Sequence, residues 1–477
     1  MEPIDDLVDR LGRWAGGRGP MYLSLAARFR QLIDDGVLAP GASLPPDRAL
    51  AAALAVGRTT VVAAYETLRQ EGKIVRRQGS GTIVAPAALA VPPGRAGTSN
   101  PLFLHLLEPP DGAILLTCAA PPGPPAELAG AYRSMALPDD DIGYHPAGHP
   151  ALRAAIAARY TARGIPTEPS RVMVTTGAQQ ALSLLARTLI APGDPVLVEA
   201  PTYPGALDLF REAMATLLPV AVDPDGIDVD AAVRVMAERR PALAYVIPSY
   251  HNPTGTVLPP LARRRLVAAA MDAGVPLIDD EVLVDLTLTG EAPEPLAAFG
   301  EVISVGSLSK IVWGGLRIGW IRAGTPLIAR LTRLKAIHDL GTDLPAQLAA
   351  AAILPELAVL RDRQLARLRA GHDLLRAELA ARLPSWECPP VRGGQTLWIR
   401  LPYGDGASFA QVAMRHGVAV LPGASLDARG GSTACLRVHF LAGPDELVEA
   451  ARRLAAAWRA YDGAAPPAPR ALNAIVV

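Results

Sequence analysis

The chain has 477 residues, half of them apolar, and its 46 basic side chains are balanced by 46 acidic ones. That composition excludes global disorder, supports a large buried core and rules out a cationic coat over the whole surface, so any nucleic-acid face must be local. The cysteines Cys118, Cys388 and Cys435 are an odd set without CxxC spacing, which argues against a disulfide framework or a structural zinc site and fits a reducing cytoplasm.

The opening segment MEPIDDLVDRLGRW has helical spacing at Ile4, Leu7, Val8, Leu11 and Trp14 and no continuous apolar stretch. It predicts a short docking helix within residues 1–17 rather than a signal peptide. No later window holds the ~18 unbroken apolar residues of a membrane span. Leu25, Phe29, Leu32 and Ile33 share one face of a helix between Met21 and Asp35. After the turn APGASLP a second helix starts at Pro46 and Asp47, Gly57 allows a tight turn, and RTTVVAAYETLRQEG forms a third. KIVRR and TIVA, joined by QGSG, predict a hairpin. The pattern over residues 18–85 is a winged helix-turn-helix.

Those residues carry nine basic against five acidic side chains, a net +4 within a neutral chain, which is the local asymmetry that DNA binding needs. Arg58, Thr59 and Thr60 open the third helix, the end that enters a major groove, while Arg76 and Arg77 precede the wing tip. A solvated basic face on a protein-interaction domain is the alternative. The wording from YLSLAARF to GSGTIVA resembles the GntR-family winged helix along its whole length, in the LAPGxxLP turn, the RxLAxxLxVxRTTVxxAYExL helix pair and the GSGT tip. That resemblance implies binding to double-stranded promoter DNA and places Arg48, Arg58, Thr59, Thr60 and Gly79 at the DNA. Gly79 and Gly81 suit a hairpin tip that needs positive φ and no side chain near phosphates.

Residues 86–112, rich in Pro, Gly and Ala, read as a linker. From Ala113 onward short apolar runs alternate with helical segments: RVMVTT, PVLVEA, LAYVIPS, VPLIDDEV and EVISVGSLSK. The alternation predicts an α/β domain over 113–465 with a mostly parallel sheet. A long helix spans about 357–383, a smaller terminal α+β subdomain contains WIRLP, VAVLPG and CLRVHF, and 466–477 form a tail.

The chain has only three lysines, Lys73, Lys310 and Lys335, and three asparagines, Asn100, Asn252 and Asn473. Such a bias reflects GC-rich coding, and it raises the question of what a surviving lysine does that arginine cannot. For Lys310, in SVGSLSKIVWGGLRIGW, the answer is a Schiff base, which a permanently charged guanidinium cannot form. Ser307, Ser309 and Arg317 supply hydroxyls and a cation suited to a phosphate. Asp280 ends an apolar run at a predicted strand end, where a carboxylate can keep a pyridine nitrogen protonated, although neighbouring Asp279 offers the same group. Asn252 in HNPTG can bond a ring hydroxyl or simply make a turn. Gly177, Ala178 and Gln179 open a helix whose N–H groups attract phosphate.

In order, GYHPAGHPALR, TTGAQQAL, EAPTYPG, HNPTG, IDDEV, SLSK, GLRIGW and CLRVHF resemble the fold-type I pyridoxal phosphate-dependent aminotransferases over about 113–460. The resemblance implies pyridoxal 5′-phosphate, with Lys310 as the Schiff-base lysine, Asp280 on the pyridine nitrogen and Asn252 on the ring hydroxyl. It stacks Tyr203 on the ring and sets Gly177, Ala178, Gln179, Ser307 and Arg317 around the phosphate. Tyr144 would reach the phosphate of a neighbouring subunit, and Arg437 would pair with an effector carboxylate. The tyrosine usual two or three residues after the pyridine aspartate is replaced by Val282 and Leu283, neither a hydrogen-bond donor. A winged helix, a linker and an aminotransferase-like domain together resemble the MocR subfamily of bacterial regulators. That implies a cytoplasmic, head-to-tail homodimer that senses pyridoxal 5′-phosphate, an amino compound or both. The competing expectations are a working aminotransferase with a DNA-binding appendage and a repressor whose rear domain only dimerises.

Overall fold

In a computed structural model of the chain, the structure describes residues 4–11, 14, 20–34, 37–39, 41–71, 73–77, 81–85, 112–137 and 139–461. The helix Ile4–Leu11 places Leu7 and Leu11 in one apolar cluster with Leu25, Phe29 and Leu32 of the helix Met21–Asp34, as their spacing requires. Helices Asp47–Ala53 and Arg58–Gln70 follow, and the chain bends by 120° between them, the geometry of a helix-turn-helix. Val61, Ala64, Tyr65 and Leu68 bury one face of the second helix. The Tyr65 ring meets Phe29 edge-on at 5.7 Å, and its hydroxyl donates to Pro45 O at 3.0 Å.

Two local expectations need correction. The left-handed residue of the turn is Ala55, at φ 53°, whereas Gly57 is extended at φ −63° and caps the Arg58 helix. Glycine is acceptable at an N-cap, so its presence there did not mark the residue that turns the chain. In addition, part of APGASLP is not turn: Ser43–Leu44 pairs antiparallel with the hairpin as a third strand. The hairpin itself joins Ile74–Arg77 to Gly81–Val84, with Arg77 opposite Gly81, and Gly81 has φ 80°. Gly79, the Arg77 side chain, linker residues 86–111 and the tail 466–477 lie outside the described residues.

The rear part is built on an eight-stranded sheet. Its order is Val172–Thr175, Gly319–Arg322, Ile303–Ser307, Leu277–Asp280, Leu243–Val246, Pro195–Ala200, Thr216–Asp223 and Gly226–Ile227. The run from Ile303–Ser307 to Thr216–Asp223 is parallel, while Gly319–Arg322 is antiparallel to both neighbours and Gly226–Ile227 to its one. Helices including Gly177–Leu189, Pro204–Glu212 and Pro260–Ala273 connect the strands, and apolar clusters lie on the sheet's faces. Strands such as Val172–Thr175 and Leu243–Val246 are buried along their whole length, which is why they read as unbroken apolar runs. The parallel arrangement puts Ala200, Val246, Asp280 and Ser307 at one edge, the carboxyl edge where open α/β sheets bind ligands.

The smaller subdomain is an antiparallel sheet of Thr396–Arg400, Cys435–His439 and Leu421–Pro422. Ile114–Leu115 pairs in parallel with Val418–Ala419, so residues just after the linker are joined to a strand about three hundred positions further along. Among the described residues, Leu344–Arg382 alone has the length and apolarity of a membrane span, yet Leu357, Leu360, Leu368, Leu375 and Leu379 are buried in the core.

Candidate functional site

A cavity of about 360 Å³ opens at the carboxyl edge of the sheet. Lys310, Asp280, Asn252, Tyr203, Ala178, Gln179, Ser307, Ser309, Arg317 and Arg437 all line it, drawn from segments more than three hundred residues apart counting Cys118. Lys310 lies just beyond the strand Ile303–Ser307, beside the strand that ends at Asp280. Its Nζ donates to Ala119 O at 2.5 Å, and Gln395 Nε2 donates to the same oxygen at 2.8 Å. Burial lowers the Lys310 amine from 10.5 to about 8, and Arg437 and Arg317 push in the same direction.

Asp280 accepts from Tyr245 Oη at 2.6 Å and from Val282 N at 3.1 Å. Burial lifts its carboxyl to about 6 against those two donors, so it remains mostly ionised at neutral pH. Asp279, the sequence's other candidate, points elsewhere: its Oδ2 accepts from Leu296 N at 3.0 Å. Strand alternation separates the two acids, since successive side chains leave opposite faces.

The phosphate-type donors form a second cluster. Gly177 begins its helix at φ 75°, and a Cβ there would come within 2.6 Å of Arg317 Nη2. Arg317 is itself left-handed at φ 55° and donates to Thr176 O at 2.9 Å. Ser307 Oγ donates to Ser309 Oγ at 2.9 Å, and Ser309 N donates back to Ser307 Oγ at 3.1 Å. Tyr203 Oη donates to Gln179 Oε1 at 3.0 Å, and burial lifts the phenol to about 12, which keeps it a donor. These groups fit pyridoxal 5′-phosphate by their chemistry: an amine, a carboxylate beside it, a phenol, and hydroxyls with a cation that a glycine lets approach a helix N-terminus.

Arg437 is 3% exposed. Its Nη1 donates to Asn252 Oδ1 at 3.0 Å and its Nη2 to Thr117 O, and burial lowers it to about 10. Val282 and Leu283 line the cavity where a phenol is usual, so that wall is apolar. Tyr144 is 62% exposed and does not line this chain's cavity. Sequence reasoning missed Tyr245, Gln395 and the Ala119 carbonyl. Tyr245 was the one signal available, a polar side chain inside the run LAYVIPS.

In the front module Arg48, Arg58, Thr59 and Arg76 are exposed and Thr60 half-buried. Asp47 lies 4.0 Å from Arg58 and 3.5 Å from Arg76, bringing the start of the third helix and the wing together on one side.

Comparison with known proteins gives two family matches: aminotransferase class I and II over residues 135–454, and bacterial regulatory proteins of the gntR family over 21–84. The chain is 32% identical to the uncharacterized HTH-type transcriptional regulator YdcR of Escherichia coli over 84% of its own length and 91% of that protein's. It is 33% identical to the probable rhizopine catabolism regulatory protein MocR of Rhizobium meliloti, over 63% of this chain and 65% of that one. Among solved structures it is similar to LysN, the α-aminoadipate aminotransferase of Thermus thermophilus complexed with N-(5′-phosphopyridoxyl)-L-leucine. The TM-score is 0.69 at 29% identity, covering 75% of this chain and 94% of that one.

Proposed function

We propose, because the chain belongs to the aminotransferase class I and II family and carries a gntR-family module at its front, that it is a pyridoxal 5′-phosphate-dependent transcriptional regulator of the MocR type. The observation that carries this reading is one cavity holding Lys310, Asp280 and Arg437 in a chain that also presents an exposed helix-turn-helix. When bound, the cofactor supplies an aldehyde that captures amines and a ring that draws electrons from the captured carbon.

The chain's residues determine what is captured. Lys310 would provide the nucleophilic amine, and Asp280 would hold a proton at the pyridine nitrogen. Gly177, Ala178, Gln179, Ser307, Ser309 and Arg317 would hold the phosphate, Tyr203 would cover the ring, and Asn252 would bond its hydroxyl. Arg437 selects compounds that carry a carboxylate. A phenol two or three residues after Asp280 would donate to the ring hydroxyl and tune the amine exchange, and Val282 and Leu283 cannot, which suits sensing better than rapid turnover. Tyr144, being exposed, is available to a partner in a head-to-tail homodimer, and the site of action is the cytoplasm. A ligand shifts the placement of the DNA-binding modules only by binding one arrangement more tightly than another.

Footprinting on fragments from the gene's own upstream region tests this reading, with and without vitamer and a panel of amino acids and amines. The protected region is expected to change in extent with ligand, and identical protection in every condition would sink the regulator. Asn252 within HNPTG, the wording of true aminotransferases, favours a second reading, an enzyme with an appended DNA reader. Repeated turnover of an amino donor and a keto acid would establish it.

Two further outcomes follow. The rate at which Lys310 takes up the aldehyde is expected to rise with pH through a midpoint near 8, the value its burial sets; a midpoint near the free-amine 10.5 would show that it is solvated. The accompanying sign is fixed. Between about 8 and 10.5 the folded chain holds fewer protons than the unfolded one, so its stability rises with pH across that window. At the front, Arg58→Ala is expected to weaken operator binding by about 1–3 kcal/mol, and the salt dependence separates its modes of contact: a lost phosphate contact lowers the slope by about one. Unchanged affinity in a gel-shift titration would remove Arg58 from the interface.

A further inference from the structure

Lys335 is another of the three lysines, and no role above uses it. It lies on the helix Thr325–Asp339 and is fully buried, at 0% exposure. Its ammonium donates to Asp339 Oδ1 at 2.8 Å, to Asp339 Oδ2 at 2.6 Å and to Gln180 Oε1 at 3.1 Å. Gln180 is the fourth residue of the helix that starts at Gly177, and it is clamped from both ends. Its Nε2 donates to Asp339 Oδ2 at 2.7 Å, while its Oε1 also accepts from Thr176 N at 2.8 Å. Thr176 is the residue whose carbonyl accepts from Arg317. A continuous chain of contacts therefore runs from the Lys335 ammonium through Gln180 to the backbone turn that presents Gly177 and Arg317.

The same bracket extends the other way. Asp339 Oδ1 accepts from Gly341 N at 3.0 Å. Gly341, at φ 142°, lies so close to His145 that a Cβ would meet His145 O at 2.8 Å. Gln347 Nε2 donates to Thr342 O at 2.7 Å, and its Oε1 accepts from His149 N at 2.6 Å, on the segment that carries Tyr144.

We infer that Lys335 is a positioning residue for the phosphate cradle. Its buried ammonium locks Gln180, and through it Thr176, so that the Gly177 turn and Arg317 face an anion in a fixed geometry. This inference rests on the cofactor reading above. It also explains the choice of lysine. One tetrahedral nitrogen, itself without exposed surface, sends three N–H groups to two acceptor side chains, whereas the planar guanidinium fork is larger and matches a different geometry.

The test compares pyridoxal 5′-phosphate with pyridoxal, which has the same aldehyde and ring without the phosphate. Binding of each to the full chain is measured by absorbance titration for the wild type, Lys335→Met, Lys335→Arg and, as the milder probe should the buried changes impair folding, Gln180→Ala. Affinity for the phosphorylated vitamer is expected to fall on the order of tenfold or more in the folded variants, the scale of lost charge-assisted positioning. Affinity for pyridoxal should change less than twofold, and Lys335→Arg should not restore the difference. Equal losses for both vitamers, or full rescue by arginine, would overturn the positioning role. If the wild type takes up neither vitamer, the cofactor reading fails first and this inference falls with it.

Discussion

Lys310→Ala is expected to eliminate covalent uptake of pyridoxal 5′-phosphate. The wild-type protein should gain a visible absorption band, and after borohydride reduction the peptide containing Lys310 should carry the fixed mass of the vitamer; the variant should show neither. Lys310→Arg should behave like the alanine variant, because a guanidinium near neutral pH remains a cation and not a nucleophile. The contrast is sharp because the chain offers only Lys73 and Lys335 as other side-chain amines, and Lys335 is buried behind Gln180 and Asp339. The ligand-dependent change in the footprint should vanish with the adduct. A reduced adduct on another peptide, or an unaltered DNA response in Lys310→Ala, would overturn the assignment of this amine.

The second large effect belongs to Arg437. Replacement by leucine leaves Asn252 Oδ1 and Thr117 O without their guanidinium donor and removes the cation that faces the cavity. Truncating one side of a buried charge pair costs about 2–5 kcal/mol, so affinity for carboxylate-bearing amines should fall from roughly thirty-fold to several thousand-fold. Calorimetric titration with an amino acid and with its decarboxylated amine separates selection from general damage. Only the acid should lose affinity. Arg437→Lys should recover little, because two parallel N–H bonds to a carboxylate need the planar fork. If acid and amine weaken equally, Arg437 supports the site without reading the ligand.

Much of this was legible in the sequence for physical reasons. Asp280 ends a buried strand, Lys310 and Asn252 lie on the loops that follow two others, and the carboxyl edge of a parallel sheet is where such residues meet. The scarcity of lysine and asparagine sharpened that reading. Other features could not be seen. The Ala119 carbonyl that holds Lys310 is backbone and leaves no mark in a residue pattern. Gln180 and Asp339 are 159 residues apart, and only tertiary packing makes them partners of Lys335. Ser43–Leu44 pairs at the edge of its small sheet through two residues inside a Pro- and Gly-containing turn, too short for any alternation to register. Gly57 drew attention as the flexible residue while Ala55 took the strained dihedral, because the preceding helix end fixes where the chain must reverse.

The pairing of Ile114–Leu115 with Val418–Ala419 ties down the first described residues of the rear domain. Thr117 and Ala119, only a few positions further along, offer their carbonyls to Arg437 and Lys310. Any molecule that draws either cation away from its carbonyl therefore removes a hydrogen bond from the residues that open the rear domain. The two cations of the cavity and the first residues of the rear domain thus share the same peptide carbonyls.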